Sequence, residues 1–135
     1  MANKVFIDTS GWANLFIATE SYHEQAKQWF QHRPQQDQAM VLELVALLNS
    51  PLRVPRPQLF KYVEAVRTAP YINLIYIEPT IDSAAWELLK SREDKAWSLV
   101  VSTSFIVMQQ LGIKEALTTD HHFEQAGFLR LLKSE

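Results

Sequence analysis

Short apolar runs alternate along this chain with amphipathic stretches, and both kinds end on polar or turn-forming residues. Val5-Phe6-Ile7 reads as a buried strand, closed by Asp8-Thr9-Ser10-Gly11, residue types that turn a chain and start a helix. Trp12, Leu15 and Phe16 follow at i, i+3 and i+4 and share one helical face. Ser21-Tyr22-His23-Glu24 has the S-x-x-E form of a capping box and predicts a helix through Ala26, Trp29 and Phe30, ended by Pro34.

Asp37 is placed to cap a helix over 38–49, whose interior from Ala39 to Leu48 is apolar everywhere except at Glu43. Ser50-Pro51 stops it, Pro55 and Pro57 punctuate a loop, and Pro57 suits the first turn of a helix from Gln58 to Val66. Leu74 to Ile77 reads as a second central strand. Asp82 then caps a helix reaching Ser91, with Ile81 and Trp86 as a hydrophobic staple. A polar loop from Ser91 to Lys95 precedes a helix expected over Ser102 to Leu111, stopped by Gly112. Ala116 to Thr119 forms a short strand ending at Asp120, and Phe128 to Leu132 a last one. Strands alternating with helices predict an α/β fold, a parallel sheet with helices on both faces. Ligands of such sheets sit at the carboxyl ends of the strands, where Asp8 and Asp120 both fall.

Composition narrows the class. At 135 residues and 47% apolar content, the chain fits one domain spanning residues 1–135 with a sizeable core. Its net charge of −2 does not announce a phosphate-rich partner, so nucleic acid would be met by a local cationic patch or by metal ions held on acids. Cysteine is absent, which removes disulfides, thiolate zinc and a Cys nucleophile. No secretory leader or membrane-spanning run is legible, and a cytoplasmic protein is expected.

Three acids invite a chemical reading. Asp8 and Asp120 serve equally well as helix N-caps or as ligands. Glu43 is either a solvent-facing helix position or an acid buried among apolar neighbours, where it is costly unless paired or coordinated. Two carboxylates about 4 Å apart repel by about 4 kcal/mol at an effective dielectric of 20, so a convergent cluster must hold a proton or a cation. Oxygen ligands without cysteine favour Mg²⁺ or Mn²⁺, and the usual work of such a site is phosphoryl transfer. Histidine-based metal binding is not expected, because adjacent His121 and His122 should point apart and His23 and His32 lie nine residues apart. No phosphate-cradling or nucleophile-elbow glycine pattern occurs, and the chain has only three glycines.

Taken together, these segments resemble the PIN-domain proteins. The likeness is carried by Val5-Phe6-Ile7-Asp8-Thr9-Ser10, by Glu43 in its apolar setting, and by Trp97-Ser98-Leu99-Val100 followed by Thr103-Ser104-Phe105. Leu117-Thr118-Thr119-Asp120-His121-His122-Phe123 with Gly127-Phe128 completes it. The nearest similarity is to the VapC-like toxins of bacterial toxin–antitoxin pairs. It implies a three-layer α/β/α sandwich around a parallel sheet, a Mg²⁺- or Mn²⁺-dependent endoribonuclease, an RNA substrate, an antitoxin partner and a homodimer.

Carried over by position, Asp8, Glu43 and Asp120 match the first, second and fourth family acids, as both catalytic and metal-binding residues. Two departures stand out. Val101 occupies the third acidic place, and valine can hold neither a metal nor a metal-bound water. Asp94 replaces it only if its loop folds inward; a solvated loop acid is the simpler expectation. The polar, proline-broken segment Gln31 to Gln38 also suggests that one sheet strand before Glu43 is missing. The alternative to an active nuclease is therefore a degenerate PIN fold that binds RNA or an antitoxin without turnover. Arg53, Arg56, Lys61, Arg67, Arg92 and Lys95 are candidates for gripping an RNA backbone or are ordinary surface.

Overall fold

A computed structural model describes residues 3–32, 38–43, 56–69 and 72–134, with backbone alone at 3, 38–43, 56 and 59. In chain order the elements are β1 (Asn3–Ile7), α1 (Thr9–Phe16), α2 (His23–His32), β2 (Gln38–Glu43), α3 (Arg56–Thr68) and β3 (Ile72–Ile75). They continue with α4 (Pro79–Ser91), α5 (Leu99–Leu111), β4 (Glu115–Leu117), α6 (His122–Gln125) and β5 (Leu129–Arg130). The strands form one sheet in the order β3-β2-β1-β4-β5, and every pairing is parallel. The α/β class expected from the alternating pattern is the one observed.

Strand alternation sorts the core into two layers. Val5 and Ile7 of β1, with Leu117 of β4, pack on one face against Trp12, Ala26, Val63 and Val66 of α1, α2 and α3. Phe6 and Ala116 point to the other face and meet Phe105, Val107 and Met108 of α5, together with Trp97 and Phe123. Helices thus cover both faces, as a parallel sheet requires.

β2 corrects the sequence expectation twice. Residues 38–43 form a strand where a helix was expected, and the sheet lacks no strand ahead of Glu43, which is the last residue of β2. An apolar run as short as Ala39 to Leu42 fits a buried strand as well as a helix, and periodicity alone does not separate them. Its place between β1 and β3 supplies ladder partners on both sides, which decides for the strand. Residues 44–55, with the rest of that expected helix, Pro51, Pro55 and Arg53, lie outside the described residues, as do Pro34 and Asp37.

Smaller shifts have local causes. α2 begins at His23 rather than on a Ser21 cap, after the Tyr22 N–H bonds to Asn14 Oδ1 at 2.9 Å. α4 begins at Pro79, three residues before Asp82, because proline suits the first turn of a helix. With Glu78 as the N-cap, Ile81 lies inside the first turn instead of ahead of it, and Trp86 stays 45% exposed, so the expected staple across the helix start is corrected. Gly112 ends α5 in the left-handed region, at φ 68°, as expected of a C-terminal glycine.

Candidate active site

In the order β3-β2-β1-β4-β5, the chain winds outward on one side of β1 and then crosses to the other, so the topological switch lies between β1 and β4. Asp8 follows β1 directly, and Asp120 follows β4 by three residues. Gly11 brings the two ends together. A Cβ at this position would collide with the carbonyl oxygen of Leu117 and come within 2.9 Å of Ile7 Cγ2, so only glycine lets the first turn of α1 sit against the end of β4.

A hydroxyl network spans that junction. Asp8 caps α1, its Oδ1 accepting the Gly11 N–H at 3.0 Å and the Ser10 hydroxyl at 2.7 Å. The Thr118 hydroxyl donates to Asp8 Oδ2 at 2.8 Å and accepts the Asp120 N–H at 3.0 Å. Ser10 Oγ accepts the Thr119 N–H at 3.0 Å and lies 3.1 Å from Thr118 Oγ1. Ser10 and Thr118 thus bind the two acidic segments to each other. In the sequence both stand within the motifs but neither is assigned a role, because a hydroxyl beside an acid reads as ordinary capping.

The electrostatics of Asp8 are unusual. It keeps some solvent exposure, yet burial pushes its carboxyl above the ordinary 3.8, and the charge of Asp120 adds a smaller push in the same direction. Hydrogen bonds from Ser10, Gly11 and Thr118 oppose the rise without cancelling it. A carboxylate held where its own charge is disfavoured, beside a second acid, fits a site that accepts a cation.

Asp120 uses one oxygen locally. Its Oδ1 accepts the backbone N–H of His122 at 2.9 Å and lies 2.9 Å from His122 Nδ1. Arg130 braces the segment from β5, donating to the Thr119 carbonyl at 3.0 Å while its Nε lies 3.0 Å from Glu124 Oε1. The expectation that His121 and His122 point apart is corrected here: their ring centroids lie 4.3 Å apart. Backbone geometry at the start of α6 folds both rings to one side. Among the described residues, Asp120, His121 and His122 are the group of potential ligands whose donor atoms cluster, all within 4.8 Å.

The remaining candidates divide. Ile7 pairs with Leu42, so Asp8 and Glu43 each come one residue beyond that pair, at the same carboxyl edge of neighbouring strands. The Glu43 side chain lies outside the described residues. Val101 stands in the first turn of α5, its N–H capped by Ser98 Oγ at 3.1 Å, and packs against the core around Phe6, Trp97 and Phe105. Asp94 does not replace it. Its side chain is 60% exposed and pairs with Arg92 at 3.0 Å and Lys95 at 3.9 Å. Arg92 also lies over the Trp97 ring at 5.0 Å, so its charge and its face are both engaged. Lys61 and Arg67 are exposed on α3, and the Arg56 side chain lies outside the described residues.

No protein-family model matches the chain. It is 29% identical over 130 residues to the 23S rRNA-specific endonuclease VapC20 of Mycobacterium tuberculosis, in two strains, covering 94% of this chain and 97% of the relative. The crystal structure of that VapC20, a sarcin-ricin loop cleaving toxin, superposes with a TM-score of 0.81 at 26% identity, over 93% of this chain and 96% of the other. FitAcB from Neisseria gonorrhoeae shares the fold at a TM-score of 0.66 and 10% identity, over 96% of each chain.

Proposed function

We infer that this chain, a VapC-like PIN-domain protein, is a toxin-type endoribonuclease that hydrolyses RNA phosphodiester bonds with a divalent metal ion. The observation that carries the reading is the Thr118 hydroxyl, which ties Asp8 to the Asp120 segment across the switch point of a parallel sheet. Likeness to an rRNA-cleaving endonuclease over almost the whole of both chains supports it.

Asp8, Asp120 and Glu43 are the proposed metal-holding and catalytic acids. Their all-oxygen chemistry suits Mg²⁺ or Mn²⁺. When bound, such an ion lowers the pKa of a water and neutralises charge on the phosphate. The chain's own contribution is placement: Gly11 permits the close approach, Ser10 and Thr118 orient the Asp8 carboxylate, and Arg130 holds the Thr119–Asp120 turn. Residues 1–135 act as one domain, with RNA as substrate, an antitoxin as protein partner, a homodimer as assembly and the cytoplasm as location. No helix among the described residues is long and apolar enough to cross a membrane.

Val101 favours a second reading, a degenerate PIN fold that binds RNA or an antitoxin without cutting, because hydrocarbon stands at the third acidic place. Cleavage of ribosomal RNA with Mn²⁺ or Mg²⁺, with and without EDTA, separates the two when this protein is compared with Val101→Asp. Metal-dependent cleavage by both supports the enzyme. Cleavage by Val101→Asp alone supports the degenerate fold.

A further inference from the structure

We propose that Asp120, His121 and His122 form a chelating site for a borderline transition-metal dication such as Zn²⁺ or Ni²⁺, chemically distinct from the oxygen-ligand ion of the nuclease reading. Three observations support it. Asp120 Oδ1 and His122 Nδ1 stand 2.9 Å apart. Bonds of about 2.0–2.1 Å place adjacent ligands about 2.9 Å apart at the right angle of an octahedral or square site and about 3.3–3.4 Å apart at the tetrahedral angle of Zn²⁺, so the pair needs at most a small opening. A dication can sit between the two atoms without moving either group far.

His121 supplies the second nitrogen. Its ring lies 4.3 Å from that of His122, and its donor atom falls within the 4.8 Å cluster. The side chain is exposed, which leaves its ring room to turn toward the ion. Two imidazoles and one carboxylate form a donor set preferred by Zn²⁺, Ni²⁺, Co²⁺ and Cu²⁺, whereas Mg²⁺ takes oxygen and water.

The local charge agrees. Asp120 brings a carboxylate to the cluster, and Arg130, whose guanidinium donates to the Thr119 carbonyl, is paired with Glu124 at 3.0 Å. A dication on this cluster is attracted by the Asp120 carboxylate. Because Asp120 is shared, Zn²⁺ bound here takes a ligand from the hydrolytic site and opposes cleavage.

RNA-free metal binding tests the proposal apart from the nuclease reading. Calorimetry with Zn²⁺ alone is expected to give one ion per chain, and electron paramagnetic resonance with Cu²⁺ alone to show coupling to two imidazole nitrogens. His121→Ala and His122→Ala are each expected to remove one nitrogen and to weaken Zn²⁺ by more than the about 10–100-fold that loss of an outer-shell partner causes. His121 is exposed, so His121→Ala keeps its circular dichroism spectrum even if His122→Ala loosens α6. Where Mn²⁺-dependent cleavage is present, His121→Ala retains it and loses inhibition by added Zn²⁺. Absence of nitrogen coupling, or Zn²⁺ affinity unchanged in His121→Ala, overturns the site whether or not the protein cuts RNA.

Discussion

Thr118 and Asp8 lie 110 residues apart in the chain and 2.8 Å apart in the fold, with the threonine hydroxyl donating to a carboxylate that burial has made reluctant to ionise. The bond matters twice: it crosses the switch point of the sheet, and it opposes the rise in the Asp8 pKa. Thr118→Val removes a buried hydrogen bond to a charged group and is expected to cost about 1.5–3 kcal/mol, with the Asp8 carboxyl rising further. Thermal unfolding and carbonyl NMR titration check both parts, and Thr118→Ser should restore most of each. An unchanged Asp8 titration in Thr118→Val would show that this bond does not orient the acid.

Gly11 gives a steric prediction. Its absent Cβ is the space occupied by the Leu117 carbonyl, part of the backbone of a central strand that cannot swing aside. Gly11→Ala should destabilise by about 1–3 kcal/mol, the usual cost of forcing extra carbon into a packed junction. Because the strain falls between α1 and β4, metal-dependent cleavage should fall as well. Urea denaturation beside an activity assay tests this, and a neutral substitution contradicts it.

The raised pKa of Asp8 sets a pH dependence. The fold favours its protonated form, so between 3.8 and the raised folded value the native state keeps a proton that the unfolded chain has released. The stability contribution of this group is whole below 3.8 and is lost as pH rises through the folded value. With EDTA present, the urea midpoint of the wild type should therefore fall relative to Asp8→Asn as pH rises across that window. A divalent ion favours the carboxylate and should reduce the difference while releasing a proton. Parallel pH curves for the two proteins would remove desolvation of Asp8 from the account.

Asp94 serves as the control. Exposed and paired with Arg92 and Lys95, it has no part in the proposed centre. Asp94→Asn should leave cleavage, metal affinity and the unfolding midpoint where they are. A loss of metal affinity would mean that this loop supplies the acid that Val101 does not.

Much of this was legible in the residues. The run Val5 to Ile7 ending on Asp8, the glycine stop at 112 and the strand before Asp120 follow from patterning and caps, and they place two acids at one sheet edge. β2 was not legible, because four apolar residues satisfy either period and only the flanking strands decide. The role of the Ser10 and Thr118 hydroxyls was not legible for a related reason: it exists only across a contact between distant segments, and each hydroxyl reads locally as a cap. The approach of the His121 ring to that of His122 depends on the turn at the start of α6, which sequence adjacency does not specify.

The central claim, that Asp8 and Asp120 form a metal-dependent RNA-cleaving centre, is tested most directly by one cleavage experiment. Wild type, Asp8→Asn and Asp120→Asn, each checked for folding by circular dichroism, are compared on ribosomal RNA in Mn²⁺ and in EDTA. The account predicts cleavage by the wild type in Mn²⁺, none in EDTA, and a loss of about 10²-fold or more in each variant. Cleavage that persists in EDTA, or survives Asp8→Asn at full rate, would contradict it.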